Sequence, residues 1–339
     1  MSTRRAFIGT LTLGMGAVPP FVVAQRAGNL PRVALVFSSV PVAEMTGPDP
    51  VNGFARSFVH ALRDLGYVEG RNIVIERRSA EGRLERMPAL MKELVALKVD
   101  LIVATGPAAI AAQRATETIP IVALIDEPDT IGLAASLARP GRNVTGVTSS
   151  AGPGMQGKWL QLLKEASPKS TRVAVIDFKY IDSRATPGTH RRRHELEAAA
   201  RVLGLTLIMV GVDTPEDFEP AFADIVSQHA DALLVQGGAV VYVHRRRIID
   251  FAAQRGLPAL YSWRESVASG GLMFYGPNDV ESFRRTAAYA DKILKGVKPA
   301  DLPFEQPTRF DLIINLKTAK VLGLTIPQTL LLRADEVIQ

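Results

Sequence analysis

The feature that most constrains this chain is a repeated alternation of short apolar runs with longer stretches of helical period. From Arg32 the sequence predicts a buried strand over 32–38 (RVALVFS). A helix over 51–67 follows, with Phe54, Phe58, Leu62 and Leu65 at helical spacing and Gly66 at its end. Next come a strand at 72–76 (NIVIE) and a helix over 83–97 with Met87, Leu90, Met91, Leu94 and Leu97 on one face. A strand at 101–105 (LIVAT) leads into a helix that Pro107 opens at its favoured first position, and a fourth strand covers 119–125. The order then recurs: strand 172–177 (RVAVID), helix 190–203, strand 205–212, helix 215–229, strand 232–236, helix 240–254 and strand 257–261. Thr214 suits the N-cap of the helix over 215–229, and Glu216 and Asp217 suit its first turn, where acids favour the dipole.

The two copies align at particular residues. Val99-Asp100-Leu101 answers Ala230-Asp231-Ala232, Thr105-Gly106-Pro107 answers Gln236-Gly237-Gly238, and Ile119-Pro120-Ile121 answers Leu257-Pro258-Ala259. Alternating strand and helix implies parallel sheets with helices on both faces, hence an α/β chain of two doubly wound lobes. Each copy ends in a further extended stretch, 143–149 (NVTGVTS, which carries Thr148) and 271–275 (GLMFY). A third candidate is 302–306 (LPFEQ). Three such strands crossing between the sheets make a hinge. The division expected is 31–148 plus 277–303 for the N-terminal lobe and 149–276 plus 304–339 for the C-terminal lobe.

Open parallel sheets bind ligands beyond the carboxyl ends of their strands. That rule selects Ser38 and Ser39, Thr105 and Gly106, and Asp126 and Glu127 on the first lobe. On the second it selects Asp177 and Phe178, Gln236 and Gly237, and Tyr261 with Ser262 and Trp263. Thr105-Gly106-Pro107-Ala108 reads as a helix start that could take an anion, or as a plain strand-to-helix turn; Gly237-Gly238 is its counterpart. Asp126 and Glu127 suit a ligand ammonium, or one of them caps a helix near Pro128. Tyr261, Trp263, Phe178 and Tyr275 are candidates for stacking on a ligand or for the core, with Tyr275 favoured by its place on a crossing strand. The basic runs 190–194 (HRRRH) and 244–247 (HRRR) have acids close by (Glu195, Asp250) and read as solvated helix faces.

Residues 1–24 read as a signal peptide. Arg4 and Arg5 precede an uncharged stretch that ends in Val22-Val23-Ala24, a small-residue cleavage pattern. Thr3-Arg4-Arg5-Ala6-Phe7-Ile8 is similar to a twin-arginine signal, although Gly9 stands where a Lys is usual. Gly9, Gly14, Gly16, Pro19 and Pro20 argue against a membrane-spanning helix. The chain has no Cys, which removes thiolate metal sites and cysteine nucleophiles, and its net charge of +6 over 339 residues is spread rather than gathered in a nucleic-acid-binding patch.

The chain resembles the bacterial ABC-transporter substrate-binding family of type I periplasmic-binding fold, which includes tryptophan- and tyrosine-type binders. The resemblance rests on LGYVEGRNIVIERR (65–78), AEGRLERMPALMKELVALKVDLIVATGPAA (80–109), ASLARPGRNVTG (135–146) and GGLMFYGPN (270–278). It continues through ADKILKGVKPADLPFEQPT (290–308) and INLKTAKVLGLTIPQTLLLRADEVI (314–338). It implies a two-lobe fold, capture of a small solute in an interlobe cleft and delivery to a membrane permease. With the leader and the missing motifs, the expectation is a periplasmic monomer with no catalytic residue, cofactor or metal. Many relatives carry Asp-Pro where this chain has Glu127-Pro128. A ligand-sensing module for a receptor is the alternative. A dinucleotide-dependent enzyme is disfavoured because G-x-G-x-x-G is absent after the first strand, where FSSVPVAEMTG stands, and no H-E-x-x-H or G-x-S-x-G occurs.

Overall fold

The computed structural model describes residues 30–149, 152, 154–178 and 187–339. The leader expected over 1–24 lies outside the described residues. The first lobe contains β1 (Arg32–Phe37), α1 (Val42–Met45), α2 (Gly53–Asp64), β2 (Val74–Ser79), α3 (Met87–Ala96), β3 (Leu101–Thr105), α4 (Pro107–Ala115), β4 (Ile121–Ile125) and β5 (Val144–Thr148). The second begins with α5 (Met155–Ala166), β6 (Arg172–Asp177), α6 (Pro187–Leu203), β7 (Thr206–Gly211) and α7 (Phe218–Ser227). It continues through β8 (Ala232–Val235), α8 (Ala239–Val243), α9 (Arg245–Arg255), β9 (Ala259–Tyr261), α10 (Arg264–Ala268) and β10 (Met273–Pro277). The chain then adds α11 (Asp279–Leu294), β11 (Phe310–Asn315), α12 (Leu316–Val321), α13 (Gln328–Leu331) and β12 (Glu336–Ile338).

The duplication seen in the sequence is a duplication of topology. The first sheet runs β2-β1-β3-β4-β5 with every pairing parallel. The second runs β7-β6-β8-β9-β10, the same order, and extends through β11 and β12. Its one antiparallel step, β10 against β11, departs from a purely parallel sheet. It arises because α11 leaves for the other lobe, so β11 returns from the opposite direction.

Matched residues do matched work. Asp100 accepts the Arg32 amide at 2.8 Å, and Asp231 accepts the Arg172 amide at 2.9 Å, so each acid caps the start of its lobe's first central strand. Pro120 and Pro258 open β4 and β9 without needing an N–H there, and their carbonyls accept from Ile102 and Leu233. Strand residues alternate between the two faces: Val33, Leu35 and Phe37 fill one core cluster, Ala34 and Val36 the other. Val173 and Val175 oppose Ala174 and Ile176 in the same way in the second lobe.

The chain crosses between lobes three times: after β5, after β10 and after Glu305. The second crossing sends α11 back onto the first lobe, where Phe283 stacks on Phe37 at 5.5 Å and on Phe54 at 5.3 Å. The stretch expected as a crossing strand over 302–306 makes one isolated bridge, Val147 with Glu305, and Phe304 is buried in the first lobe's core. The second and third crossings are laced together: Asn278 donates to Asp311 at 2.6 Å and its amide to the Arg309 carbonyl at 3.0 Å. The helix expected over 240–254 is interrupted at His244. The first piece, α8, carries Tyr242 into the apolar cluster of the opposite lobe, whereas α9 packs Ile248, Ile249 and Ala252 on its own sheet.

Gly146 is the tightest point of β5. Its φ is +151°, and a Cβ there would collide with the Ala123 carbonyl and lie 2.7 Å from the Ala123 nitrogen, inside the β4–β5 pairing. Gly146→Ala is therefore expected to destabilise the fold by about 2–4 kcal/mol, measured as a lower urea midpoint. An unchanged midpoint contradicts this packing.

Candidate functional site

The carboxyl ends of the parallel strands in both sheets face the gap that the crossings span. In each sheet the strand order reverses between the first and third strands of its copy, which leaves a crevice at that point. On the first lobe Ser38 and Thr105 flank the crevice, and Ser38 Oγ donates to the Thr105 carbonyl at 3.1 Å. Gly106 turns the chain into α4 at a φ of +50°, and nothing stands within 4 Å of the position a Cβ would take. On the second lobe Asp177 and Gln236 flank the equivalent crevice. Gly237, at a φ of +101°, brings the backbone against Asp177, and the Phe178 ring lies flush on Gly238, leaving no space for a side chain there.

The two faces meet at one cluster of charges. The loop after β4 carries Asp126 and Glu127; the first turns of α6 carry Arg191 and Arg192. Arg192 donates to Asp126 at 3.3 Å, and Arg191 pairs with Glu127. Glu127 has a φ of +45°, accepts a 3.4 Å hydrogen bond from Thr130 Oγ1, and is only 10% exposed. Glu195, one turn along α6, approaches Arg191 at 3.9 Å and accepts the Gly154 amide at 3.1 Å. These groups close a cavity of about 40 Å³ whose apolar wall is Met155 and Trp159 and whose rim includes Ser149 and Pro277. Gln156 and Arg192 also line a smaller recess with Asp177, Thr189 and Gln236, in which Gln236 donates to Gln156 at 2.8 Å.

The structure thus brings Asp126, Glu127, Asp177 and Gln236 to one connected site, together with residues that strand-tip reasoning did not select: Gln156, Met155, Trp159, Arg191 and Arg192. Ser38, Ser39, Thr105, Gly106, Phe178 and Gly237 stay on the strand tips around it. Thr148 is buried, with its amide on the Glu305 carbonyl at 2.8 Å, and it is the next residue, Ser149, that lines the cavity. Tyr261 is a core ring, packed against Gly271, and Tyr275 stacks on Phe310 at 6.0 Å against the second lobe's core. Both faces of this sheet are covered, so a ring at either parity is drawn onto a core: Tyr261 is buried on one face and Tyr275 packs, partly buried, on the other. No helix opens near Pro128; the chain there is a series of turns.

The run 190–194 is a correction. Arg191 and Arg192 face the acidic loop of the other lobe, although Arg191 is still 42% exposed; Arg191 and Arg193 also keep same-helix partners, Glu195 at 3.9 Å and Glu197 at 3.0 Å. The run 244–247 is mixed. Arg246 pairs with Asp250 on the exposed face of α9, whereas Arg245 lies 4.6 Å over the Tyr242 ring and Arg247 4.8 Å over Phe218.

Burial pushes the Asp177 carboxyl up to about 6; the Phe178 amide and Arg192 pull it back, while Asp126 and Asp213 raise it further. Folded Asp177 therefore holds its proton more tightly than the unfolded chain does. Its contribution to stability is complete below about pH 4 and is lost as the pH rises through about 6. Asp177→Asn is expected to stabilise the protein relative to wild type at pH 8 and to lose that gain at pH 4, in urea melts at the two pH values. An equal effect at both contradicts the assignment.

Two α/β lobes of repeated topology, joined by three crossings and facing each other across a cleft, define the type I periplasmic-binding architecture. A family model described as ABC transporter substrate binding protein matches residues 39–338, and the chain belongs to that family. A tyrosine-binding protein of Clostridioides difficile is 26% identical over 289 residues, covering 84% of this chain and 81% of that protein. The crystal structure of a conserved domain protein from Vibrio cholerae superposes with a TM-score of 0.80 at 24% identity, covering 91% of this chain and all of that one. An ABC domain from Streptococcus pneumonia in complex with L-Trp gives a TM-score of 0.79 at 23% identity, with the same coverage.

Proposed function

We propose that this chain is an exported solute-binding protein that captures a small carboxylate-bearing molecule, an amino acid or aromatic acid, and delivers it to an ABC permease. It has no chemistry of its own in this reading. The observation that carries the reading is the apposition of two arginines from one lobe with two carboxylates from the other, beside the apolar wall of Met155 and Trp159. Arg191 and Arg192 suit the solute carboxylate, Asp126 and Asp177 its ammonium, and the apolar wall its side chain. The tyrosine-binding relative and the L-Trp complex support the same solute class by similarity. Residues 31–148 with 277–303 would move as one body and 149–276 with 304–339 as the other, save that the burial of Phe304 moves the third crossing to just past Glu305.

A thermal-shift screen across amino acids, aromatic acids and uncharged sugars tests this. A solute carboxylate at saturating concentration is expected to raise the melting temperature by about 5 °C or more, and Arg192→Ala to weaken its binding about tenfold or more. Hits confined to uncharged sugars overturn the carboxylate assignment.

A further inference from the structure

The acid at position 127 has a fit that solute recognition alone does not require. Its carboxylate reaches across the cleft to the first turn of α6, where helix-end amides and the helix dipole favour an anion. One oxygen pairs with Arg191; the other rests against Gly188, so closely that a Cβ on residue 188 would collide with it. The same position would lie 2.8 Å from Thr130 Oγ1, so the whole Glu127–Thr130 turn is seated on that glycine. Arg192 and Asp126 add a second bridge of the same polarity one residue along each element.

We propose that Glu127 is a tethered stand-in for a ligand anion: it occupies the anion position at the start of α6 and latches the two lobes together before any solute is bound. A solute carboxylate then exchanges with Glu127 for Arg191 rather than filling an open site. The charged groups facing the latch are Arg191, Arg192, Asp126 and Glu195, with Asp177 behind Arg192. The latch itself does not depend on which solute the cleft takes, so it can fail while the solute-binding reading stands.

The absence of Cys allows a direct test. Spin labels on Glu117→Cys in the first lobe and Val202→Cys in the second, both exposed, report the interlobe distance in the dialysed, solute-free protein by pulsed electron resonance. The expected result is a dominant short distance. Its ratio to the long one should fall about three- to tenfold in Glu127→Gln and again in Gly188→Ala, which removes no charge and favours the helix. Raising the salt from about 0.01 M to about 1 M, which cuts the screening length from ~30 Å to ~3 Å, should move wild type the same way. A short distance that persists in both variants, or a wild type that shows only the long distance, overturns the latch. Melting temperatures of both variants separate a lost latch from a lost fold.

Discussion

Everything in this molecule depends on where its parallel strands end. Two sheets of one topology point their carboxyl ends into a shared gap, and three short crossings hold the sheets in that relation. A strand tip is where the backbone has unpaired polar groups and the next helix begins, so each sheet presents amides and short polar side chains to the gap. The larger cavity draws its walls from both lobes. The second and third crossings are laced to each other through Asn278 and Asp311, which ties the two lobes together there.

Charge then decides what the gap prefers. The first lobe contributes acids on the β4 loop, and the second contributes arginines on the first turns of α6, where same-helix acids cannot satisfy both. The opposed signs pair across the gap, Arg191 with Glu127 and Arg192 with Asp126. Burial of Asp177 behind Arg192 adds a group whose ionisation responds to mildly acidic pH. Gly188 and Glu127 are matched in size, so a change at one is felt at the other.

Much of the fold was legible in the sequence because burial imposes period. β3 and β6 fall where their apolar runs end, and Asp100 and Asp231 announce the duplication because both lobes need the same strand start capped. The break at His244 was not legible: a continuous helical period over 240–254 hides the fact that its first piece is shared, with Val241 in its own lobe's core and Tyr242 in the other's. At the site, Asp126, Glu127, Asp177 and Gln236 follow from the strand-tip rule. Arg191 and Arg192 do not, because helix arginines with acids nearby look the same whether they face solvent or another lobe. Their position just after Gly188, at the start of a helix that follows a strand tip, was the available signal. Tyr261 and Tyr275 show the converse: with both faces of the sheet covered, an aromatic near a tip is taken up by a core whichever its parity, and the sequence does not tell a ring at the last covered position from one just beyond it.

Hydrogen–deuterium exchange with and without a solute found by thermal shift tests the shared-cleft account most directly. Protection is expected to rise together in the loop 126–130 of one lobe and in 154–160 and 188–193 of the other. Slowing confined to a single lobe, with the opposite face exchanging as before, would contradict it.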